Sequence, residues 1–186
     1  MGSIPTGLLL ARSAGIDPRR AGSGNIGATN VLRTAGRRLG LLTLLGDVAK
    51  GVLPTLLAAR LAPGETTIAL TGLAAFLGHL FPPWLGFRGG KGVATALGVS
   101  LVLAPQSALL GALAFFFVVG TTGYVSLASL AGCTVVTVAM LAAHAFAWPA
   151  AAVMTVLVII RHVDNIQRLV RGIEPRTTRP FLRQRP

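Results

Sequence analysis

The chain is poor in charge, and acidic residues are especially scarce. Asp and Glu number 5 against 17 Lys and Arg, and charged residues make up only 12% of the 186 residues. A mean hydropathy of +0.71, with 53% hydrophobic residues, is too apolar for a soluble domain of this length. Because runs of about 20 apolar residues cross a bilayer as helices, we predict an all-α, polytopic integral membrane protein.

Cysteine is almost absent, since Cys133 stands alone in an apolar run. This excludes a disulfide framework and a metal cluster built on thiols. The three histidines, His79, His144 and His162, are far apart and lack a metal-ligand spacing such as HExxH. We therefore predict no metal site and no cofactor.

Motifs that read nucleic-acid bases are also lacking, although the net charge is +12. A basic protein could bind nucleic acid, anionic lipid or anionic metabolites. The basic residues flank apolar runs, as orientation signals of membrane proteins do. We expect membrane lipid, and not nucleic acid, to be the partner of most of these charges.

Seven apolar runs predict about seven transmembrane helices, of which several are short or half-spanning. The first run has half the length of a span, so we expect that helix to be truncated and the native chain to start upstream of Met1. The runs lie at residues 1–12, 39–62, 66–79, 93–103, 107–121, 126–143 and 148–160.

The basic residues concentrate in the first and third connections between these runs and after the last run. By the positive-inside rule these segments are cytoplasmic, which puts the N-terminus outside and the C-terminus inside. Residues 1–174 are expected to form one membrane domain. Residues 175–186 are expected to be a basic cytoplasmic tail, disordered on the anionic inner leaflet.

Two charged residues, Asp47 and Lys50, interrupt the second apolar run. Three positions apart on a helix, they share a face, and mutual pairing reduces the cost of burying them. Ionisable residues inside a membrane are functional candidates by default. A purely structural, mutually satisfied pair is the alternative.

Two Gly-rich polar segments, residues 22–30 and 86–92, interrupt the apolar sequence. Backbone N–H groups freed by glycine beside Arg or Lys form anion-binding cradles. Lipid forbids unpaired backbone polar groups, so such loops lie at the membrane edge or in a protein-lined cavity. Two cradles on one face predict two phosphates; glycines that merely form turns and allow close packing are the alternative.

Nucleotide-binding motifs are matched only superficially. Gly22, Gly24 and Gly27 satisfy GxGxxG, but no strand precedes them and a membrane helix follows, which argues against a dinucleotide fold. The Gly90-Lys91 pair lacks the upstream glycine of a Walker loop, and Gly92 replaces its Ser or Thr. Neither a Rossmann site nor nucleotide hydrolysis is indicated.

Residues 23–33, 78–95 and 162–174 resemble, in order and spacing, the three motifs of the bacterial acyl-phosphate:glycerol-3-phosphate acyltransferases. The resemblance implies transfer of a fatty acyl group from acyl phosphate to the 1-hydroxyl of glycerol 3-phosphate. The products would be lysophosphatidate and phosphate, at the start of phospholipid synthesis. It further implies a multi-pass protein of the bacterial inner membrane with a cytoplasmic active site, and a functional link to an enzyme that forms acyl phosphate.

The matched residues predict a site with three kinds of role. Acyl phosphate is already activated, so positioning and charge stabilisation can suffice without a covalent intermediate. We predict catalytic roles for Ser23, Arg33, Lys91, His162 and Asn165. We predict substrate binding by Gly24, Asn25, Gly27, Thr29, Asn30, His79, Arg88, Gly89, Gly90, Gly92 and Thr95, and structural support from Asp47, Lys50 and Glu174.

The acid–base pairing of acyl-CoA-dependent glycerolipid acyltransferases, HxxxxD, is absent from all three histidines. The donor phosphate itself is therefore the favoured proton acceptor, and an unpartnered histidine is the alternative.

A transporter of organic phosphates is a competing function, but it predicts an internal repeat that the sequence lacks. A non-catalytic lipid-binding scaffold would not require so many polar groups at one rim.

Overall fold

A computed structural model describes residues 1–62 and 64–177, and these residues fold into nine α-helices with no strand. The all-α prediction is confirmed. A short 3-10 turn, Pro83–Leu85, lies between the fourth and fifth helices. The helices are α1 Thr6–Ser13, α2 Ala28–Ala35, α3 Arg37–Leu61, α4 Glu65–Leu80, α5 Val93–Leu103, α6 Pro105–Thr122, α7 Val125–Ala142, α8 Trp148–Arg161 and α9 Val163–Val170.

Four segments are long and apolar enough to cross a membrane: Arg37–Leu61, Glu65–Leu85, Pro105–Thr122 and Val125–Ala142. The helices α8 and α9 pass the same test together, bent by 58° at their junction, which gives up to five spans in the described chain. The count of seven is not confirmed. Helix α1 has eight residues and α5 eleven, so they rise only about 12 and 16 Å, against roughly 30 Å of hydrocarbon.

Close approach of α3 and α5 depends on two glycines. A Cβ on Gly51 would lie 2.3 Å from the carbonyl oxygen of Thr95, and one on Gly98 would lie 2.2 Å from that of Val48. Small residues at such crossings let helix backbones meet in lipid, where apolar surface alone gives little drive for association. Most of the exposed side chains of α3 are leucines, among them Leu41, Leu45 and Leu53, and the others are arginines near its two ends.

The largest buried hydrophobic cluster joins α4, α5 and α8. It contains Phe76, Leu80, Ala96, Val99, Met154 and Val158. This cluster holds the beginnings of α5 and the end of α8 together, so the loops that precede α5 and follow α8 lie side by side. The polar segments of the sequence thereby converge on one end of the helix assembly.

The segment after α9 is not free along its described part. The N–H of Thr177 donates to the carbonyl of Gly123 at 2.8 Å, and the Arg176 guanidinium lies 4.8 Å from the centre of the Tyr124 ring. Two of the first residues of the predicted tail, Arg176 and Thr177, are therefore held against the residues that precede α7. Residues 178–186, where most of that prediction falls, lie outside the described residues.

Candidate active site

The first Gly-rich loop is closed around one buried amide. Asn30 is 3% exposed, and the two hydrogens of its Nδ2 group are shared among the carbonyls of Pro18, Ala21 and Asn25, at N···O distances of 2.8–3.0 Å. Its Oδ1 accepts the N–H of Ser23 at 2.8 Å. Asn30, predicted to bind substrate, lies beside the second cavity described below but has its polar atoms committed to shaping the loop.

This loop ends at the start of α2, where backbone N–H groups are free to donate hydrogen bonds. Asn25 Oδ1 accepts the N–H of Gly27 at 2.8 Å, whereas the N–H groups of Ala28 and Thr29 have no partner in the described chain. The hydroxyls of Ser23 and Thr29 are also unpaired within residues 1–62 and 64–177. A helix N-terminus with free N–H groups attracts anions, and the exposed Arg33 stands one turn further along α2.

The second Gly-rich loop differs from the cradle that the sequence predicts. The N–H of Gly89 donates to Leu80 O at 3.0 Å and that of Gly90 to His79 O at 3.2 Å, so neither is available to an anion. A Cβ on Gly90 would lie 2.1 Å from His79 Nε2. These two glycines allow close packing, and positive charge comes from the neighbouring Arg88 and Lys91.

Arg161 fastens this loop to the end of α8. Its Nη2 donates to Gly89 O at 2.7 Å and its Nε to Gly90 O at 3.2 Å. A guanidinium so engaged keeps its full charge while its position is fixed. The loop glycines thus hold a cation in place through their carbonyls.

A chain of side-chain hydrogen bonds connects Lys91 with α9. Lys91 Nζ donates to Asn165 Oδ1, and Asn165 Nδ2 donates to Glu174 Oε1 at 2.6 Å. Arg168 Nε donates to Glu174 Oε2 at 2.7 Å. Glu174 therefore fixes which way the Asn165 amide faces, and the amide oxygen in turn directs the ammonium group of Lys91.

Burial is the main influence on Lys91. Desolvation lowers the pKa of its amine from 10.5 to about 8, with Arg168 and Arg161 adding to this and Glu174 opposing it. Burial raises the pKa of the Glu174 carboxyl, but hydrogen bonds, including those from Asn165 and Arg168, outweigh it and leave the pKa below its ordinary value. At neutral pH Lys91 is charged and Glu174 ionised.

The two histidines predicted for the site are both buried but differ in their bonding. His162 Nδ1 donates to the carbonyl of Val158 at 2.8 Å, which leaves Nε2 as an acceptor in the neutral ring. His79 Nδ1 has no hydrogen-bond partner in the described chain and lies 3.8 Å from Asp47 Oδ1. His162 is therefore the better placed of the two to accept a hydrogen bond from a substrate.

Asp47 and Lys50 form an ion pair of 2.8 Å inside α3. Lys50 Nζ also donates to the carbonyl of Ile4 at 3.0 Å, and Asp47 Oδ1 accepts a hydrogen bond from Thr6. Thr95, predicted to bind substrate, is fully buried and donates to the carbonyl of Asp47 at 2.9 Å. These contacts join the N-terminal segment and α5 to α3, and Thr95 lines neither cavity described below.

Two cavities open among these residues. The first, of about 780 Å³, is strongly basic; the second, of about 740 Å³, has a polar end and an apolar end between helices. The cations that line the first are Arg19, Arg20, Arg88, Lys91, Arg161 and Arg168. The predicted residues that line the second include Gly27, Thr29, Asn30, Arg33, Asp47, His79, Gly92 and His162.

The two cavities share a wall. Ser23, Asn25, Lys91, Asn165 and Arg168 line both of them. Gly24 and Gly89 line only the first, whereas Gly90, Lys50 and Thr95 line neither. The structure thus places most of the predicted site in the lining of one cavity or both, and leaves three of its members in supporting positions.

Four arginines of the first cavity are absent from the predicted site: Arg19, Arg20, Arg161 and Arg168. The positive-inside rule predicts only that the basic residues of the segments that contain them orient the protein in the membrane. The sequence signal that could have identified them is Asp17, two residues before Arg19. The Arg19 guanidinium pairs with the exposed Asp17 carboxylate and keeps the pKa of that carboxyl well below its ordinary value. A local ion pair within a basic segment indicates a shaped turn, which simple topological signals do not require.

Comparisons with known proteins agree with this geometry. Residues 1–172 match the family described as glycerol-3-phosphate acyltransferase. The chain is 52% identical to the glycerol-3-phosphate acyltransferase of Geobacter sulfurreducens, over 95% of this chain and 92% of the relative. It is 51% identical to that of Myxococcus xanthus, over 94% and 93%.

Solved structures are similar as well. The crystal structure of PlsY (YgiH), an integral membrane glycerol 3-phosphate acyltransferase, in its glycerol 3-phosphate form has a TM-score of 0.91 and 40% identity, covering 95% of this chain and 90% of that one. Its lysophosphatidic acid form has a TM-score of 0.88 and 39% identity, over 96% and 90%. This multi-pass membrane protein belongs to the glycerol-3-phosphate acyltransferase family.

Proposed function

We propose that this acyltransferase uses acyl phosphate as its donor and acylates the 1-hydroxyl of glycerol 3-phosphate, releasing lysophosphatidate and phosphate. The observation that carries the proposal is the shared wall. A basic cavity for a small anion and a cavity with an apolar end meet at Ser23, Lys91 and Asn165. A reaction between a soluble phosphate ester and a lipid-like acyl donor requires such a meeting point.

Glycerol 3-phosphate is assigned to the first cavity. Of its six cations, Arg20 and Arg88 form neither an ion pair nor a side-chain hydrogen bond within the described residues and are free to bind a phosphate dianion. Arg161, fixed by the glycine carbonyls, adds charge at a defined position. The glycerol 3-phosphate form of the similar PlsY structure supports this substrate.

The acyl phosphate is assigned to the second cavity. Its phosphate meets the free N–H groups of Ala28 and Thr29, the Ser23 hydroxyl and Arg33. Its tail enters the acyl chamber, by which we mean the apolar end of the second cavity enclosed by α5, α6, α7 and α8. The lysophosphatidic acid form of PlsY is consistent with an acylated product in such a site.

Transfer needs no enzyme-bound acyl intermediate. The 1-hydroxyl oxygen of glycerol 3-phosphate attacks the acyl carbon, and the bond between that carbon and the bridging phosphate oxygen breaks. The hydroxyl proton goes to the departing phosphate, so atoms and charge balance without a protein base. Lys91 and Arg33 stabilise the charge that moves onto the phosphate, and Asn165 fixes the position of Lys91.

His162 orients the attacking alcohol. Its Nδ1–H is held by Val158 O, and its Nε2 lone pair accepts the hydroxyl hydrogen bond until the proton is transferred. The site faces the cytoplasm of a bacterial inner membrane, because the arginine-rich segments cluster at its mouth. An enzyme that forms acyl phosphate supplies the donor there.

Purified protein in detergent or vesicles, supplied with glycerol 3-phosphate and acyl phosphate, acyl-CoA or acyl carrier protein, tests the donor. We expect lysophosphatidate and phosphate in equal amounts from acyl phosphate alone. Ser23→Ala and Arg33→Ala should each lower kcat/KM by about tenfold or more. Wild-type turnover in either variant contradicts these roles, and flux of glycerol 3-phosphate without product favours a transporter.

A further inference from the structure

We infer that the hydrophobic cluster of Val136, Met140 and Ala151 is the floor of the acyl chamber and sets the longest acyl chain used efficiently. The inference rests on the proposed function, which places the acyl tail in this chamber. The cluster lies where α7 and α8 converge below the site. Leu103, Ala104 and Ala145 pack against it.

Helix α7 shows where the chamber ends. Its lining residues follow one face, Ser126, Ser129, Cys133 and Val136, at the three- and four-residue spacing of a helix. The next residue on that face, Met140, is completely buried and does not line the cavity. The open space therefore stops between Val136 and Met140.

Helix α8 gives the same boundary from the opposite direction. The lining residues run from His162 at the reacting end through Thr155 and Met154 to Ala151, which is 2% exposed. Residues 126–136 of α7 and 151–161 of α8 each rise about 15 Å. The lining residues of α7 and of α8, two helices that run in opposite directions, therefore give the same depth for the acyl chamber.

That depth corresponds to a definite chain length. A fully extended backbone advances about 3.5 Å per three bonds, or roughly 1.2 Å per bond, so 15 Å holds about twelve bonds. With the reacting carbonyl carbon included, a straight tail of roughly 12 to 14 carbons reaches the floor. Longer tails must bend or leave the chamber sideways.

Ala151 is the residue through which the floor can be raised. Its side chain is one carbon long, so larger residues at this position extend into the space that the tail would fill. Gly111, which faces Val136, is a poor probe, because a Cβ there would lie 2.3 Å from Val136 Cγ2 and 2.8 Å from Gly132 O. Val136 itself can be shortened to lower the floor.

The test measures kcat/KM for acyl phosphates of 10 to 18 carbons at saturating glycerol 3-phosphate. Ala151→Leu should lower the ratio of the 16-carbon to the 10-carbon donor by about tenfold, since a filled pocket rejects even one or two methylenes. Val136→Ala should raise that ratio. Ala142→Leu, the same change at an exposed position of α7, should leave it within about twofold.

The possible outcomes distinguish a failure of the inference about the chamber floor from a failure of the proposed function. An unchanged ratio in both Ala151→Leu and Val136→Ala, with product still formed, overturns the inference and means that the tail leaves past the exposed Phe116. If wild-type protein makes no product from any acyl phosphate, the proposed donor is wrong instead. If Ala151→Leu does not fold, Val136→Ala alone decides the question.

Discussion

The half-buried amine of Lys91 leads to a specific prediction about pH. Desolvation lowers its pKa from 10.5 to about 8, which corresponds to about 3 kcal/mol between the charged and the neutral form. The free enzyme should therefore lose the charge on Lys91 as pH rises through 8. Because kcat/KM reports the free enzyme, we expect it to fall about tenfold for each further pH unit.

Substitutions at Lys91 isolate this charge. Lys91→Gln should lower kcat/KM by about 10- to 100-fold at pH 7, the range expected for a charged hydrogen bond to phosphate, and should have no fall near pH 8. Lys91→Arg should be slower than wild type, because a guanidinium does not fit the contact of an ammonium with Asn165, but should keep its activity to about pH 10.

The contribution of Lys91 to stability has the opposite pH dependence, so its deprotonation does not itself favour unfolding. A folded-state pKa below the unfolded value means that the unfolded chain binds more protons between about pH 8 and 10.5, so the free energy of unfolding rises with pH there. Acyl transfer is assayed by released phosphate, with uncatalysed donor hydrolysis subtracted at each pH. Arg37→Gln, an exposed cation outside both cavities, is the control and should keep the wild-type profile. A fall near pH 8 that persists in Lys91→Gln refutes the reasoning.

Three further predictions concern the loops. Asn30→Ala and Asn30→Asp should each lower the melting temperature in detergent and should lower kcat/KM by at least about tenfold. The reason is that three of the four hydrogen-bond contacts of the Asn30 amide are made by its nitrogen. An active Asn30→Asp would contradict the role of this amide in closing the first Gly-rich loop. Gly90→Ala should lose most activity through its clash with the His79 ring, and adding His79→Ala should restore part of it. No recovery in that double variant argues against steric conflict. Glu174→Gln should raise KM or lower kcat without altering the helix content measured by circular dichroism, since it frees the Asn165 amide to turn; unchanged kinetics would separate Glu174 from Lys91.

The sequence predicts the helices better than the spans. Apolar runs place α3, α4, α6, α7 and α8, because burial in lipid depends on local composition. Whether a run crosses the membrane depends on partners elsewhere. Helix α5 is short, yet Gly51 and Gly98 let it pack deeply against α3, and a single run cannot reveal that contact.

The same contrast between local sequence and contacts with distant residues holds for the candidate site. The motifs predict which residue types meet at the candidate site, but which of their atoms are available to a ligand depends on the hydrogen bonds already formed within the protein. Gly89 and Gly90 look like anion donors until Leu80 and His79 are seen to accept their N–H groups. Asn30 looks like a ligand until the carbonyl of Pro18, twelve residues away, is seen to engage it.

The ion pair inside α3 has a consequence for how the protein is made. Asp47 and Lys50 lie one helical turn apart, so α3 can enter the bilayer carrying its own counter-ion before any other helix arrives. The remaining polar contacts, to Thr6 and to the carbonyl of Ile4, form only when the N-terminal segment docks. Biogenesis can thus proceed in two stages, insertion of a helix whose two interior charges neutralise each other, followed by docking of the N-terminal segment.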